Sequence, residues 1–374
     1  MDLLDAPRAG LAPGGALPYA CRDGLPRGRS GSRGPPAISP DAMDSTAISG
    51  LALMAERRVS YLRISVTDRC NERCCYCIPA RRYRQLSRAE VLTYEEILAV
   101  AAAAVDLGID TFRITGGEPL VRRDLVGLVA RLRRLPGCRK VAMTTNATRL
   151  APLAAALRDA GLDGVNVSLD TLDADRYRAI TRTGDLDLAM AGLAAALEAR
   201  FASVKINAVL MRGRNDDELP RLVEFAREQG IPIRFIELMP LGRWQVLAPE
   251  RFLSIGQARR LLERHYALRP VEERVGDGPA RYVRTDDGQL IGFIGALSDP
   301  HFCERCNKLR LTADGKLRPC LGSGLEFDLK PHLRGGGTRT DLQAVLRQAA
   351  AAKPAAHEFL AHYRPDRRMA AIGG

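Results

Sequence analysis

The sequence lacks any apolar run long enough to cross a bilayer. Its longest, Ile97–Val105, falls far short of the ~20 residues a membrane helix needs, so a soluble chain is predicted. Aromatic residues make up only 5%, with one Trp, which disfavours base-stacking platforms for nucleic acid. No block of consecutive basic residues accompanies the net charge of +12. That charge suits a small polyanion at least as well as nucleic acid or an anionic surface. Lysine is scarce, at six of the 56 basic residues, so a Lys inside a strand stands out. The first residues lack the basic start and apolar segment of a signal peptide. "LPYAC" before Cys21 likewise lacks the apolar stretch of a lipidation box. Residues 1–50 are rich in Gly, Pro, Ala and Arg without a helical or strand period. A disordered extension over residues 1–56 is expected, with Met43 and Met54 as alternative starts.

From Tyr61 onward, short β-rich runs alternate with helical stretches. Strands are read at 61–67, 111–115, 141–145, 164–169, 204–210 and 233–238, and helices at 94–107, 123–134, 150–160, 186–199, 216–229 and 254–265. Six βα units in strict alternation imply parallel strands with right-handed crossovers. Every strand ends in polar or Gly-rich sequence, as in "TDRC", "TGGEP", "TTN" and "SLD". A ring of such ends is the active face of a barrel; an open sheet would concentrate function at one switch point. An α/β fold is therefore predicted: an incomplete six-unit barrel over residues 57–265. Residues 266–374 change character, with hairpins turning at Asp287-Gly288 and Asp314-Gly315. They are expected to close the barrel's open side.

Nine cysteines are bunched rather than spread, which favours metal over disulfides in a reducing cytoplasm. Cys70, Cys74 and Cys77 follow a strand end as C-x3-C-x2-C, with Cys75 between them. Cys303, Cys306 and Cys320 form a second triad, and the hairpin folds Cys320 back opposite Leu309. Iron–sulfur clusters usually take four thiolates; three leave one iron open for chemistry. Zinc is the alternative at each place, with Cys75 or His301 as the fourth ligand.

"CNERCCYC" with "TGGEP" resembles the radical S-adenosylmethionine enzymes. "RFIELMP", "FCERCNKLRLTADGKLRPCL" and the terminal "IGG" make the resemblance closest to the GTP 3′,8-cyclase family of molybdenum cofactor biosynthesis, over residues 57–374. It implies two [4Fe-4S] clusters, on Cys70, Cys74 and Cys77 and on Cys303, Cys306 and Cys320, with S-adenosyl-L-methionine at the first. Reductive cleavage would yield a 5′-deoxyadenosyl radical. That radical would take hydrogen from C3′ of GTP, and the carbon radical would attack C8. Tyr76, Gly117, Ser168 and Met239 match cofactor-binding positions. Arg63, Arg113, Thr144, Lys205, Lys308, Leu309 and Arg310 match GTP-binding positions, and Gly373-Gly374 a tail that supports the radical step.

The resemblance further implies a homodimer, a low-potential electron donor, and product transfer to cyclic pyranopterin monophosphate synthase, with no nucleic-acid or membrane partner. Three departures stand out: Ala147 where Gly is usual, Lys308 for Arg, and Ala370 for Ser. Ala tolerates positive φ poorly, and Lys lacks the bidentate fork of Arg. Two other readings remain. One is a radical enzyme on another substrate whose second cluster only transfers electrons; the other is a basic zinc protein that binds nucleic acid.

Overall fold

The computed structural model describes residues 58–78, 84–241, 249–272, 276–304, 306–359 and 367–373. The expected extension over 1–56, and Gly374, lie outside the described residues. Six strands follow the predicted pattern: β1 Tyr61–Ser65, β2 Thr111–Thr115, β3 Lys140–Thr145, β4 Gly164–Ser168, β5 Ser203–Leu210 and β6 Ile233–Glu237. All are parallel and pair in sequence order. The crossovers are α1 Tyr94–Asp106, α2 Leu125–Arg133, α3 Ala154–Asp159, α4 Ala174–Thr181, α5 Leu186–Glu198 and α6 Leu219–Glu228, and α7 Ile255–Leu262 follows β6. Helix α4 escaped the sequence reading.

Local sequence accounts for these elements. Thr93 caps α1 in a reciprocal box with Glu96, and Ser254 caps α7 with Gln257, each cap being worth ~1 kcal/mol. Ile97, Val100, Ala101 and Ala104 share one face of α1 and belong to the same apolar core as Leu62 and Ile64 of β1 and Phe112 and Ile114 of β2. Half-buried and buried residues alternate along β5, because one face meets helices and the other lines the interior.

The C-terminal region does more than cover an opening. It adds β7 Arg269–Pro270, β8 Arg281–Arg284, β9 Leu290–Ile294, β10 Lys308–Leu311, β11 Lys316–Arg318 and β12 Phe327–Asp328 to the same sheet. β9 pairs parallel to β6 and β10 parallel to β1, so eight parallel strands lie side by side. Both predicted hairpins form: β8 with β9, and β10 with β11. Their outer partners β7 and β12 end the sheet, and these two do not pair. The fold is thus the expected α/β incomplete barrel, its two outermost parallel strands supplied by the C-terminal region. Helices α8 Lys330–Arg334 and α9 Arg339–Ala351 lie beyond β12, with α9 joined to α1 through Arg339 and Asp106 at 2.6 Å. A last turn, α10, spans Met369–Ile372. No described helix is long and apolar enough to cross a membrane.

Candidate functional site

The strand period sets the interior. Residues two apart along each strand face inward, and the parallel register stacks them in layers. Arg63 pairs in register with Arg113 and Arg310, Thr144 with Asn166, and Ser168 with Asn207, itself beside Arg234. These side chains line one inner cavity. Cys70, Cys74, Cys77, Cys303, Cys306 and Cys320 line it too, although the two triads lie over two hundred residues apart in sequence. A larger outer groove of about 1360 Å³ shares only Gly278, Pro279 and Cys306 with this cavity. The convergent chemistry is therefore inside.

The cysteine loop follows β1. The amides of Gly117 and Glu118 donate to the carbonyls of Thr67 and Arg69 at 2.7 and 2.8 Å. A Cβ at Gly117 would lie 2.3 Å from the Arg69 oxygen, so the first requirement met by Gly-Gly is this close backbone packing. Glu118 is buried and accepts hydrogen bonds from the Thr145 hydroxyl at 2.7 Å and the Asn146 amide at 2.8 Å. Burial pushes its carboxyl up to about 7, against those hydrogen bonds. Tyr76 donates its hydroxyl to Asp170 at 2.8 Å, and burial lifts Asp170 to about 6. Cys75 turns away from the cavity into an apolar cluster with Ile180, Met211 and Leu238.

At the second triad, the observed register Arg310↔Arg318 continues to place Cys320 across from Lys308, one position from the expected Leu309. Lys353 is buried and donates to the carbonyls of Lys308 and Pro319 at 2.8 Å each. Burial opposes ionisation of Cys306, but Lys353 and Lys308 outweigh it and lower the thiol to about 7. His301 does not join this triad; its exposed ring lies 2.7 Å from Glu304. The histidine that does line the cavity is His357, and both its ring nitrogens are engaged, with the Ala296 carbonyl and the Phe359 amide. Among the described residues, no three Cys, His, Asp or Glu side chains close around a single metal ion. All six thiols of the two triads face the one cavity, and a set of thiolates is the donor chemistry that an iron–sulfur cluster takes.

Cations line the same cavity, with Lys308 and Arg310 beside the second triad. Burial first, then Arg310, holds Arg63 down to about 9. Lys308 falls to about 8, chiefly by burial, and donates to the Asn307 side chain at 2.9 Å and the Asp277 carbonyl at 3.3 Å. Arg113 donates to the Tyr61 hydroxyl and, at 3.2 Å, to the Met143 carbonyl. Sequence reasoning missed Arg234. It is buried, its Nε and Nη2 lack a well-formed hydrogen bond, and the Tyr282 hydroxyl is the polar group that faces it.

Two expected substrate contacts lie elsewhere. Leu309 is buried in the main core on the other face of β10, because residues adjacent in a strand point to opposite faces. Lys205 sits outside the cavity wall, its Nζ 5.7 Å from the Tyr282 ring centre, and burial lowers it to about 8.

The tail closes the site. Gly373 has φ +73, and a Cβ there would meet Thr115 at 2.9 Å, so both conformation and space call for glycine. Its carbonyl accepts from Arg310 at 2.6 Å and Arg63 at 3.3 Å. Ile372 packs with Leu241, Ala296 and Phe359, beside Met239. The Ala370 amide faces the Cys77 thiol. Ala147 does adopt positive φ, at 64°, so the turn form persists at a strain of ~1–2 kcal/mol.

Comparisons with known proteins agree with this arrangement. The radical SAM superfamily matches residues 64–226, and the molybdenum cofactor synthesis C-terminal family matches 231–359. The GTP 3′,8-cyclase of Moorella thermoacetica is 45% identical over 85% of this chain and 98% of its own. GTP 3′,8-cyclase 1 of Pseudomonas aeruginosa is 48% identical over 82% of this chain and 93% of its own. Among solved structures, Streptococcus suis SuiB bound to S-adenosylmethionine aligns over 78% of this chain and 69% of its own, at TM-score 0.53 and 17% identity, a likeness of fold alone. The chain belongs to the GTP 3′,8-cyclase family of radical S-adenosylmethionine enzymes.

Proposed function

We propose that this chain converts GTP to 3′,8-cyclo-7,8-dihydro-GTP, the first step of molybdenum cofactor formation, with S-adenosylmethionine as the radical source. The observation that carries the reading is that both cysteine triads and a group of buried cations line one cavity. Cys70, Cys74 and Cys77 would hold one [4Fe-4S] cluster, and Cys303, Cys306 and Cys320 a second. When bound, the clusters supply the electron that cleaves S-adenosylmethionine and an open iron that meets the guanine.

The protein's part is to bind, orient and shield. Tyr76, fixed by Asp170, would flank the adenine, with Met239 against the adenosyl group. Gly117 and Ser168 would take the methionine and ribose ends. Arg63, Arg113, Arg310, Lys308 and Thr144 would hold the ribose and triphosphate, and Arg234, a buried guanidinium on the same cavity wall, would join them. Lys205 would act from beneath Arg234 rather than by direct contact with the cavity, and Leu309 through its backbone. Gly373, hydrogen-bonded to Arg63 and Arg310, would fix those cations against the reacting ribose, with Gly374 following it. We also infer a division of labour between residues 57–265 and 266–374, a homodimer, a low-potential electron donor in a reducing cytoplasm, and transfer of product to cyclic pyranopterin monophosphate synthase.

The test is 5′-deoxyadenosine formation by anaerobically loaded protein with S-adenosylmethionine and reductant. GTP should accelerate it well above ATP or buffer. No difference between nucleotides would favour a radical enzyme with another substrate.

A further inference from the structure

The cysteine loop has no regular structure of its own, yet one neighbouring element takes up several of the polar groups of residues 71–78. That element is α4 and the turn after it. The amides of Cys75 and Arg73 donate to the carbonyls of Ile180 and Thr181 at 2.8 and 2.9 Å. The Thr183 hydroxyl donates to the Asn71 carbonyl at 2.9 Å, and the Tyr177 hydroxyl to Glu72 at 2.7 Å. Arg182 then ties both ends: its Nη1 donates to the Arg73 and Ile78 carbonyls at 3.0 Å each. Those carbonyls flank Cys74 and Cys77. Arg182 also has φ +64, a conformation costly for a residue with a Cβ. Such strain persists only where surrounding contacts over-determine it.

We propose that Arg182 is a positioning residue for the first cysteine triad, clamping the loop in its ligating shape before iron arrives. The inference rests on the reading of Cys70, Cys74 and Cys77 as cluster ligands. Iron that enters a preformed loop does not also have to order it, so cluster retention should depend on a side chain that never touches the metal. Cys75 serves the same end from inside the loop, its side chain seated against Ile180.

Arg182→Gly removes the guanidinium while suiting the positive φ, so the fold is expected to survive. Hydrogen exchange of residues 71–78 in iron-free protein gives a readout independent of the cluster. Exchange should rise on the order of tenfold, as expected for two lost hydrogen bonds, with Arg182→Lys intermediate. In reconstituted protein, a chelator should strip the first site about tenfold faster, leaving the second site's iron unchanged. Wild-type exchange and iron retention in Arg182→Gly would overturn the clamp. The triple variant Cys70→Ala, Cys74→Ala, Cys77→Ala should lose the first site's iron. Full iron there would refute the ligand reading itself, while the exchange measurement would still judge the clamp.

Discussion

Replacing Arg234 with Met separates a binding residue from a structural one, because the two roles predict opposite changes. The guanidinium is buried on β6, where its Nε and Nη2 lack a well-formed hydrogen bond and the Tyr282 hydroxyl is its polar neighbour. Arg113 adds like charge nearby. A buried cation without full partners costs stability, and an apolar residue of similar volume often recovers ~1–4 kcal/mol. Nucleotide-free Arg234→Met should therefore melt higher than the parent by a few degrees. GTP binding should move the other way. A hydrogen bond to a charged group contributes ~1.5–3 kcal/mol, so losing one to a phosphate weakens affinity by about 10- to 150-fold. Scanning fluorimetry and anaerobic titration calorimetry without reductant read the two effects on the same protein. A lower melting temperature with unchanged GTP affinity would refute the reasoning and make Arg234 a structural residue.

Cys75→Ser should keep the parent's iron content, because Cys75 faces an apolar cluster; it should lose ~1–2 kcal/mol by placing a hydroxyl there, and iron loss would make Cys75 a ligand. Arg367 pairs with Asp314 at 2.8 Å and Glu326 at 2.7 Å, just before α10. Arg367→Ala should free the tail and cut cyclisation by roughly a hundredfold, as a misplaced reacting geometry does, while iron content stays constant; wild-type product formation by mass spectrometry would show that the tail needs no anchor. Lys205, lowered to about 8 from 10.5 by burial, then by Arg234, Lys140 and Arg113, loses its charge in free protein as pH rises past 8. Phosphate favours the charged form, so GTP affinity should fall between about pH 8 and 10.5, and Lys205→Met should flatten that fall. An unchanged slope would exclude Lys205 from the effect.

Hydrophobic period and strand-end polarity made the βα pattern legible, since each unit is a local signal. Helix α4 escaped because it buries only Tyr177, Ile180 and Thr181, leaving little apolar period to read. The hairpins of the C-terminal region were visible through Asp-Gly turns, but their docking at opposite edges of the sheet was not, because non-local pairing leaves no local mark. The triads were legible by spacing. The resemblance brought in Lys308, Leu309 and Arg310 together, and the period of two turns the Leu309 side chain to the far face of β10. Arg234 was within reach: a lone basic residue in an apolar strand drew attention at Lys205, and "IRFIE" carries the same sign. His301 lay close in sequence to the second triad, whereas His357 reaches it only through the fold.

In the proposed reaction the cavity holds GTP with C3′ within reach of the radical. Loaded protein with reductant, S-adenosylmethionine and GTP deuterated at C3′ tests it most directly. The predicted result is one deuterium in the 5′-deoxyadenosine formed. Unlabelled 5′-deoxyadenosine, with deuterium retained in the nucleotide, would contradict it.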